Sequence, residues 1–268
     1  MPLDDDGVEA LRRLRGLIID MDGVLWRGET PLPGLLPFFE VLRRRALRFQ
    51  LATNNNTHAP AGFVEKLARL GVAVGADEVL TASVAVVHYL QSHFEPGSRV
   101  YVIAEAPFKG LMAEAGFTLA EQDVAAVVAS LDRGLTYDML KRATLLIRGG
   151  AAFIGANPDR TYPTEDGLAP GSGTIVAALV ASTDRQPVII GKPERWMFEI
   201  ALERLGLPGD QVASLGDRLE TDIAGGQRAG LKTIAVLSGI TNAAMLEASP
   251  IKPTWVFAGI DELARALA

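Results

Sequence analysis

Leu17-Ile18-Ile19 runs directly into Asp20-Met21-Asp22-Gly23, so a short aliphatic run ends on two carboxylates one residue apart. A buried parallel strand reads as such a run, and the carboxyl ends of parallel strands are where open α/β sheets gather their chemistry. Gly16 to Ile19 fits that strand, with Asp20 and Asp22 at its exit. Two ionised acids a few ångströms apart repel, so either their pKa values separate or a cation lies between them. A hard, oxygen-seeking ion such as Mg²⁺ is the economical solution. A strand followed by an ordinary Asp-Gly turn is the competing reading, and the remainder of the chain has to decide between the two.

Downstream, the pattern alternates strand and helix. Gly28 to Pro33 reads as a loop or short hairpin, and a helix follows to about Ala46, with Leu35, Leu36, Phe38, Phe39 and Leu42 on its apolar face. Arg48 to Ala52 reads as a second strand ending on Thr53-Asn54-Asn55-Asn56-Thr57, and Ala59 to Leu70 as a helix stopped by Gly71. This order is that of a right-handed parallel βαβ unit. From about Thr81 a second set begins: helices near 82–93, 107–115 and 136–147 alternate with strands near 99–103, 124–131 and 152–156. It is too long to be a loop of the first set and reads as an inserted domain. Tyr162 to Gly171 is a turn-rich return segment before a helix near 173–181. The first pattern then resumes, with strands at Pro187–Ile190, Val212–Leu215, Thr233–Leu237 and Trp255–Phe257 and helices near 194–205, 220–229 and 260–267.

The expected fold is therefore α/β: a Rossmann-like, doubly wound parallel-sheet core formed by residues 1–80 and 184–268, interrupted by a smaller α/β cap at 81–183. Length allows this, since 268 residues exceed the usual size of one domain. Composition narrows the function. Without cysteine there are no disulfides, thiol nucleophiles or Cys-based metal centres. His58, His88 and His93 form no metal-binding pattern. Lys and Arg number 26 against 32 Asp and Glu, a net charge of -6, and the clusters Arg12-Arg13 and Arg43-Arg44-Arg45 read as solvated helix faces, so no nucleic-acid partner is expected. No run approaches the roughly 18 apolar residues of a membrane helix. The acidic Asp4-Asp5-Asp6 stands where a secretory signal would carry basic and then apolar residues, and a cytoplasmic location is the expectation.

Four strand ends carry polar groups: Asp20 with Asp22, Thr53 with Asn54, Lys192, and Asp217 with Asp222. In a parallel sheet these ends share one edge, so residues almost two hundred positions apart can meet in one crevice. The acids are hard oxygen ligands suited to Mg²⁺ completed by water and phosphate. The hydroxyl, amide and lysine are donors for phosphate oxygens. Each has an ordinary alternative: Thr53-Asn54 as a turn and helix cap, Lys192 as a surface residue, Asp217 and Asp222 as helix-start acids. Capping alone does not require all four to follow apolar strands. No GxGxxG follows the first strand and no GxxxxGK[ST] is present, so nucleotide-loop readings fail.

Asp20-Met21-Asp22-Gly23-Val24, Thr53-Asn54-Asn55, Gly191-Lys192-Pro193 and Gly216-Asp217 with Asp222 resemble the four motifs of the haloacid dehalogenase superfamily, over nearly the whole chain. About 30 residues separate Asp22 from Thr53 and about 140 separate Thr53 from Lys192, so the insertion is similar to the α/β cap of the type IIA group. That group includes nitrophenyl, pyridoxal, phosphoglycolate and nucleotide phosphatases. Asn157-Pro158-Asp159, Gly171-Ser172-Gly173 and Gly225-Gly226 also look like it. The resemblance implies a Mg²⁺-dependent hydrolase of a small phosphorylated metabolite. Asp20 would be the nucleophile and Asp22 the proton donor and acceptor. Thr53, Asn54 and Lys192 would hold the phosphoryl group. The metal would lie on Asp20, the Asp22 carbonyl and Asp217, with Asp222 orienting a ligand. Substrate choice would rest on the cap, with Asp132 and Arg133 leaving a cap strand as a loop, and cap closure would hinge near Thr81 and Asp184. Similar proteins also self-associate through the cap. Dehalogenase chemistry needs neither Asp22 nor Asp217, a phosphomutase commonly carries a helical cap between the first two motifs, and a receiver domain is shorter with adjacent acids. A phosphotransferase of the same superfamily and a noncatalytic binding or scaffold protein are the remaining alternatives.

Overall fold

The computed structural model describes residues 5–164 and 166–268; Asp4 and Glu165, read above as parts of the acidic start and the return segment, lie outside them. The chain forms two compact units, one of Met1–Thr53, Pro60–Leu80 and Lys192–Ala268, the other of Asn54–Ala59 and Thr81–Gly191.

The first unit is built on a six-stranded sheet in the order Trp255–Phe257, Lys232–Val236, Val212–Gly216, Gly16–Ile19, Arg48–Thr53, Val79–Thr81. Gly16–Ile19 is buried along its whole length and runs parallel to both neighbours, with Ile19 beside Leu215 and Leu51. The chain winds outward from this strand in one direction and returns on its other side, so the order reverses between Gly16–Ile19 and Val212–Gly216. That reversal opens a crevice at the carboxyl ends of the two strands, which are the ends that carry Asp20 and Asp217.

Alternation along the strands feeds both faces. Leu17, Ile19, Leu51 and Leu215 pack with Phe38, Phe39 and Leu42 of helix Leu35–Arg44 and with Leu263 and Leu267 of helix Ile260–Leu267. On the opposite face, helices Arg195–Leu205 and Ala224–Arg228 come close to each other and to the sheet. A Cβ on Gly225 would lie 2.5 Å from the Phe198 ring and one on Gly226 2.7 Å from Ser214, so only glycine permits that approach. The expected helix 220–229 divides: Leu219–Ile223 forms one π-type turn, with Ile223 N donating to Arg218 O five residues back, before the α-helix Ala224–Arg228. Helices Asp5–Arg12 and Ala243–Ala248 and strand Val79–Thr81 are additions to the sequence reading.

The second unit has its own five-stranded parallel sheet, ordered Val188–Ile189, Ala152–Gly155, Ala126–Ala129, Arg99–Ile103, Thr118–Leu119. Tyr101, Ile103, Val127, Ala129 and Phe153 bury one face against Ala143 and Ile147 of helix Tyr137–Arg148 and Ile175 and Leu179 of helix Ser172–Thr183. The return segment is an antiparallel hairpin, Thr161–Thr164 with Gly167–Pro170. One strand assignment is corrected. Pro187–Ile190 reads as a strand of the core, but Val188 and Ile189 lie in parallel register with Ile154 and Gly155 and so complete the second sheet. The second unit consequently continues to Gly191 rather than ending at 183, and it includes Asn54–Ala59. No described helix is long and apolar enough to cross a membrane.

Candidate active site

Lys192 is the centre of the polar cluster. Its Nζ donates to Asp20 Oδ1 at 2.6 Å, to Asp222 Oδ1 at 2.7 Å and to the Ala52 carbonyl at 2.9 Å. All three ammonium protons are thereby used, on a side chain that is 5% exposed. Burial by itself would depress the lysine pKa, but the adjoining Asp20 and Asp222 carboxylates outweigh it and hold the amine protonated. The Ala52 carbonyl is available because strand Arg48–Thr53 ends there, and Thr53 beside it is buried.

The π-type turn accounts for Asp222. It brings the side chain back over the end of the neighbouring strand, where Oδ2 accepts from Arg218 N at 3.1 Å while Oδ1 meets Lys192. Ser214 Oγ donates to the Asp222 carbonyl at 3.0 Å, anchoring the turn to the sheet. Asp217, at the exit of Val212–Gly216, accepts the Ile240 N–H on Oδ2 at 2.7 Å. This carboxylate sits in a cradle of backbone: a Cβ on Gly239 would lie 1.8 Å from Oδ2 and one on Gly23, whose φ is +81°, 2.4 Å from it.

Asp20, Asp217 and Asp222 each offer a carboxylate oxygen within 4.8 Å of the others. Against these three acids stands one ammonium. Burial pushes the Asp20 carboxyl well above its ordinary range despite Lys192, with Asp222 and Asp217 adding to the rise. Burial and then Asp222 push Asp217 up to about 6, although the Ile240 N–H pulls the other way. A compact, hard, oxygen-only donor set with surplus negative charge fits a divalent cation of the Mg²⁺ kind.

Asp22 lies apart from this cluster of acids in its bonding. Its side chain is exposed, and Oδ1 accepts from the indole Nε1 of Trp26 at 2.8 Å. The turn that begins at Gly23 makes this contact, with Gly23 N donating to the Trp26 carbonyl at 2.8 Å. Ser238 Oγ donates to the Gly23 carbonyl at 2.8 Å and Arg27 to the Ser238 carbonyl at 2.5 Å, so the turn is tied to the loop that carries Gly239 and Ile240.

Asn54, Asp132 and Arg133 belong to the second unit. Asn54 Nδ2 donates to Asp159 Oδ2 at 3.1 Å, and its carbonyl accepts from Asn157 Nδ2 at 2.7 Å. Asp132 Oδ1 accepts from Gly134 N at 2.9 Å and Oδ2 faces Lys109 Nζ at 3.2 Å. Arg133 makes a two-pronged pair with Glu105, one prong at 2.9 Å. Sequence reasoning singled out neither Trp26 nor Gly239. The spacing of Trp26, four residues past Asp22 across an Asp-Gly turn, was the available signal for the first.

Residues 17–118 match the family model of haloacid dehalogenase-like hydrolases, and residues 189–263 a second model of HAD-hydrolase-like proteins. An acid sugar phosphatase of Staphylococcus saprophyticus is 34% identical over 96% of this chain and 99% of its own. The chain belongs to the haloacid dehalogenase-like hydrolase family. The structure of a 4-nitrophenylphosphatase from Thermotoga maritima is 35% identical and superposes with a TM-score of 0.92 over 97% of this chain and 99% of the other. NagD from E. coli K-12 is 29% identical with a TM-score of 0.87, covering 93% and 98%. This member of the haloacid dehalogenase family is a phosphatase.

Proposed function

We propose that this phosphatase hydrolyses small phosphorylated metabolites of the sugar-phosphate class, using Mg²⁺ and an aspartyl-phosphate on Asp20. The observation that carries the reading is Lys192 Nζ, shared between Asp20 and Asp222 beside Asp217. The substrate class is supported by the similarity to an acid sugar phosphatase.

Asp20 attacks phosphorus while the bond to the leaving oxygen breaks and Asp22 gives that oxygen a proton. Water then attacks the same phosphorus, Asp22 takes its proton, and the Asp20–phosphorus bond breaks to release inorganic phosphate. Lys192 opposes the rise that burial imposes on the nucleophile's pKa and neutralises charge on the phosphoryl oxygens, aided by the Thr53 hydroxyl and Asn54. Asp20, the Asp22 main-chain carbonyl and Asp217 would hold the cation, and Asp222, with both oxygens already engaged by Lys192 and Arg218 N, orients the ligands around it. When bound, Mg²⁺ supplies positive charge to the transferring phosphoryl group. Asp132 and Arg133 contact the organic part of the substrate, exchanging their present partners Lys109 and Glu105 for it. The enzyme works in the cytoplasm, as a homo-oligomer joined through the second unit.

The test is phosphate release from a panel of phosphomonoesters with Mg²⁺ and with EDTA, for wild type and Asp20→Asn. Turnover that needs Mg²⁺, vanishes in Asp20→Asn and ranks sugar phosphates first is the expected result. Folded wild-type protein that releases phosphate from no ester would exclude this reading.

A further inference from the structure

The hydrogen bond from Trp26 to Asp22 lies outside the cation-binding acids, and the role of Asp22 in moving a proton gives it a consequence. We propose that Trp26 is a positioning residue that locks the Asp22 carboxyl so that a single oxygen, Oδ2, faces the substrate's leaving oxygen. This rests on the reading of Asp22 as the proton-transferring acid.

The indole N–H donates to Oδ1 at 2.8 Å. An indole nitrogen only donates, so Oδ1 is the acceptor in this contact, and because a carboxyl's unprotonated oxygen is the better acceptor, the contact favours Oδ2 as the oxygen that exchanges a proton with substrate. Exchanging the two oxygens requires a half-turn about Cβ–Cγ, a soft torsion in an unrestrained aspartate, and the indole bond opposes it. Asp22 is exposed and would otherwise sample several orientations in solvent, whereas Trp26 is 1% exposed and packed in the core with Leu25 and Phe38. Rigidity is thus passed from the core to a surface carboxyl.

A second contact strengthens the donor. Lys66 Nζ lies 4.5 Å from the centroid of the Trp26 ring, donates to the Gly28 carbonyl at 2.6 Å and pairs with Glu29 at 3.2 Å. Gly28 and Glu29 form the turn of the hairpin Trp26–Arg27 with Thr30–Pro31. A cation over an indole face draws on its π electrons and polarises the N–H outward. The same lysine pins the hairpin, so ring and strand are held together.

The chemistry supplies a test that a general loss of packing does not mimic. An alkyl phosphate cannot expel its alkoxide without a proton, whereas nitrophenyl phosphate expels a stable anion unaided. The value of kcat/KM reports formation of the phosphoenzyme and so isolates the step in which Asp22 donates. Trp26→Phe keeps an aromatic ring and removes the N–H. It is expected to lower kcat/KM for glycerol phosphate about tenfold or more, within the span of general-acid catalysis, and that for nitrophenyl phosphate less than about threefold. Trp26→His, which retains a ring N–H, recovers part of the glycerol phosphate rate. In an Asp22→Asn background the change at Trp26 leaves the ratio of the two substrates unaltered. An equal fall on both substrates, a rise on glycerol phosphate, or a shifted ratio in Asp22→Asn overturns the role of Trp26. If Trp26→Phe fails to fold, β-(3-benzothienyl)alanine at position 26 replaces N–H by sulfur in the same ring shape, and the same ratio decides. Wild-type protein inactive on both esters defeats the phosphatase reading itself, which separates the two failures.

Discussion

At the scale of residues, the site is an unbalanced charge cluster whose one ammonium serves several acids. Lys192 touches Asp20 and Asp222 from a nearly sealed position, so removing it leaves buried carboxylates uncompensated. Breaking such a pair costs about 3–5 kcal/mol, and Lys192→Met is expected to lose stability of that order at pH 7.5 as well as activity. The loss should shrink near pH 5, where the orphaned acids can take up protons, and urea melts at the two pH values would read it. The acids give a second pH dependence. Asp20 and Asp217 have folded pKa values raised above those of the unfolded chain, Asp217 to about 6. The folded state therefore binds more protons than the unfolded state between about pH 4 and pH 6. Stability from this source is present below the unfolded pKa and is lost as pH rises through the folded one. Mg²⁺ held by these carboxyls, as proposed, would compete with those protons, so the rise in Tm on adding Mg²⁺ should be small at pH 5 and larger at pH 7.5. A metal-induced rise that is equal at both pH values would show that these carboxyls are not what the cation binds.

At the scale of elements, sequence reading works where the strand carries its own signal. Gly16–Ile19, Arg48–Thr53 and Val212–Gly216 are continuous apolar runs that end on polar residues, and all three lie where that pattern implies. Val188–Ile189 was equally legible as a strand but not as a member of either sheet, because a two-residue edge strand is assigned by its partner, Ala152–Gly155, and not by its own composition. The π-type turn at Leu219–Ile223 was illegible for a related reason: its stretch has ordinary helical character, and the extra residue is fixed by the tertiary contacts of Asp222 with Lys192 and Arg218 N. Gly239 belongs to the same class, since its need for a missing Cβ arises from Asp217 in a distant strand end. Gly239→Ala, with a Cβ that would fall 1.8 Å from Asp217 Oδ2, should displace that carboxylate and raise the Mg²⁺ concentration for half-maximal activity about tenfold or more. Because Asp217 is buried and holds the Ile240 N–H, Tm without metal should fall as well, and the Mg²⁺ dependence is read at a temperature where the variant is folded. An unaltered Mg²⁺ dependence would mean that the Asp217 carboxylate takes no part in cation binding.

At the scale of the whole molecule, the existence of an inserted α/β unit was readable from the long interval between Thr53 and Lys192, but the points where the chain passes between units were not. They fall at Thr53 to Asn54, Ala59 to Pro60, Leu80 to Thr81 and Gly191 to Lys192, so two of them adjoin residues proposed to hold phosphate. The six-residue piece Asn54–Ala59 joins the second unit through a buried amide that composition cannot reveal. Asn56 Oδ1 accepts from Ser83 N at 2.7 Å, and Nδ2 donates to Ser130 Oγ at 3.3 Å. Asn56→Ala would strand the Ser83 N–H in a dry environment at a cost of about 1–3 kcal/mol and free the segment that follows Thr53. Asn56→Asp retains the acceptor for Ser83 and can accept from the Ser130 hydroxyl, so it should be the milder change at neutral pH. The expected outcome is a lower Tm and a raised KM for phosphomonoesters in Asn56→Ala, with both partly restored in Asn56→Asp. If Asn56→Ala lowers Tm while leaving KM at the wild-type value, the segment is a structural tie and has no part in setting the phosphate-holding residues.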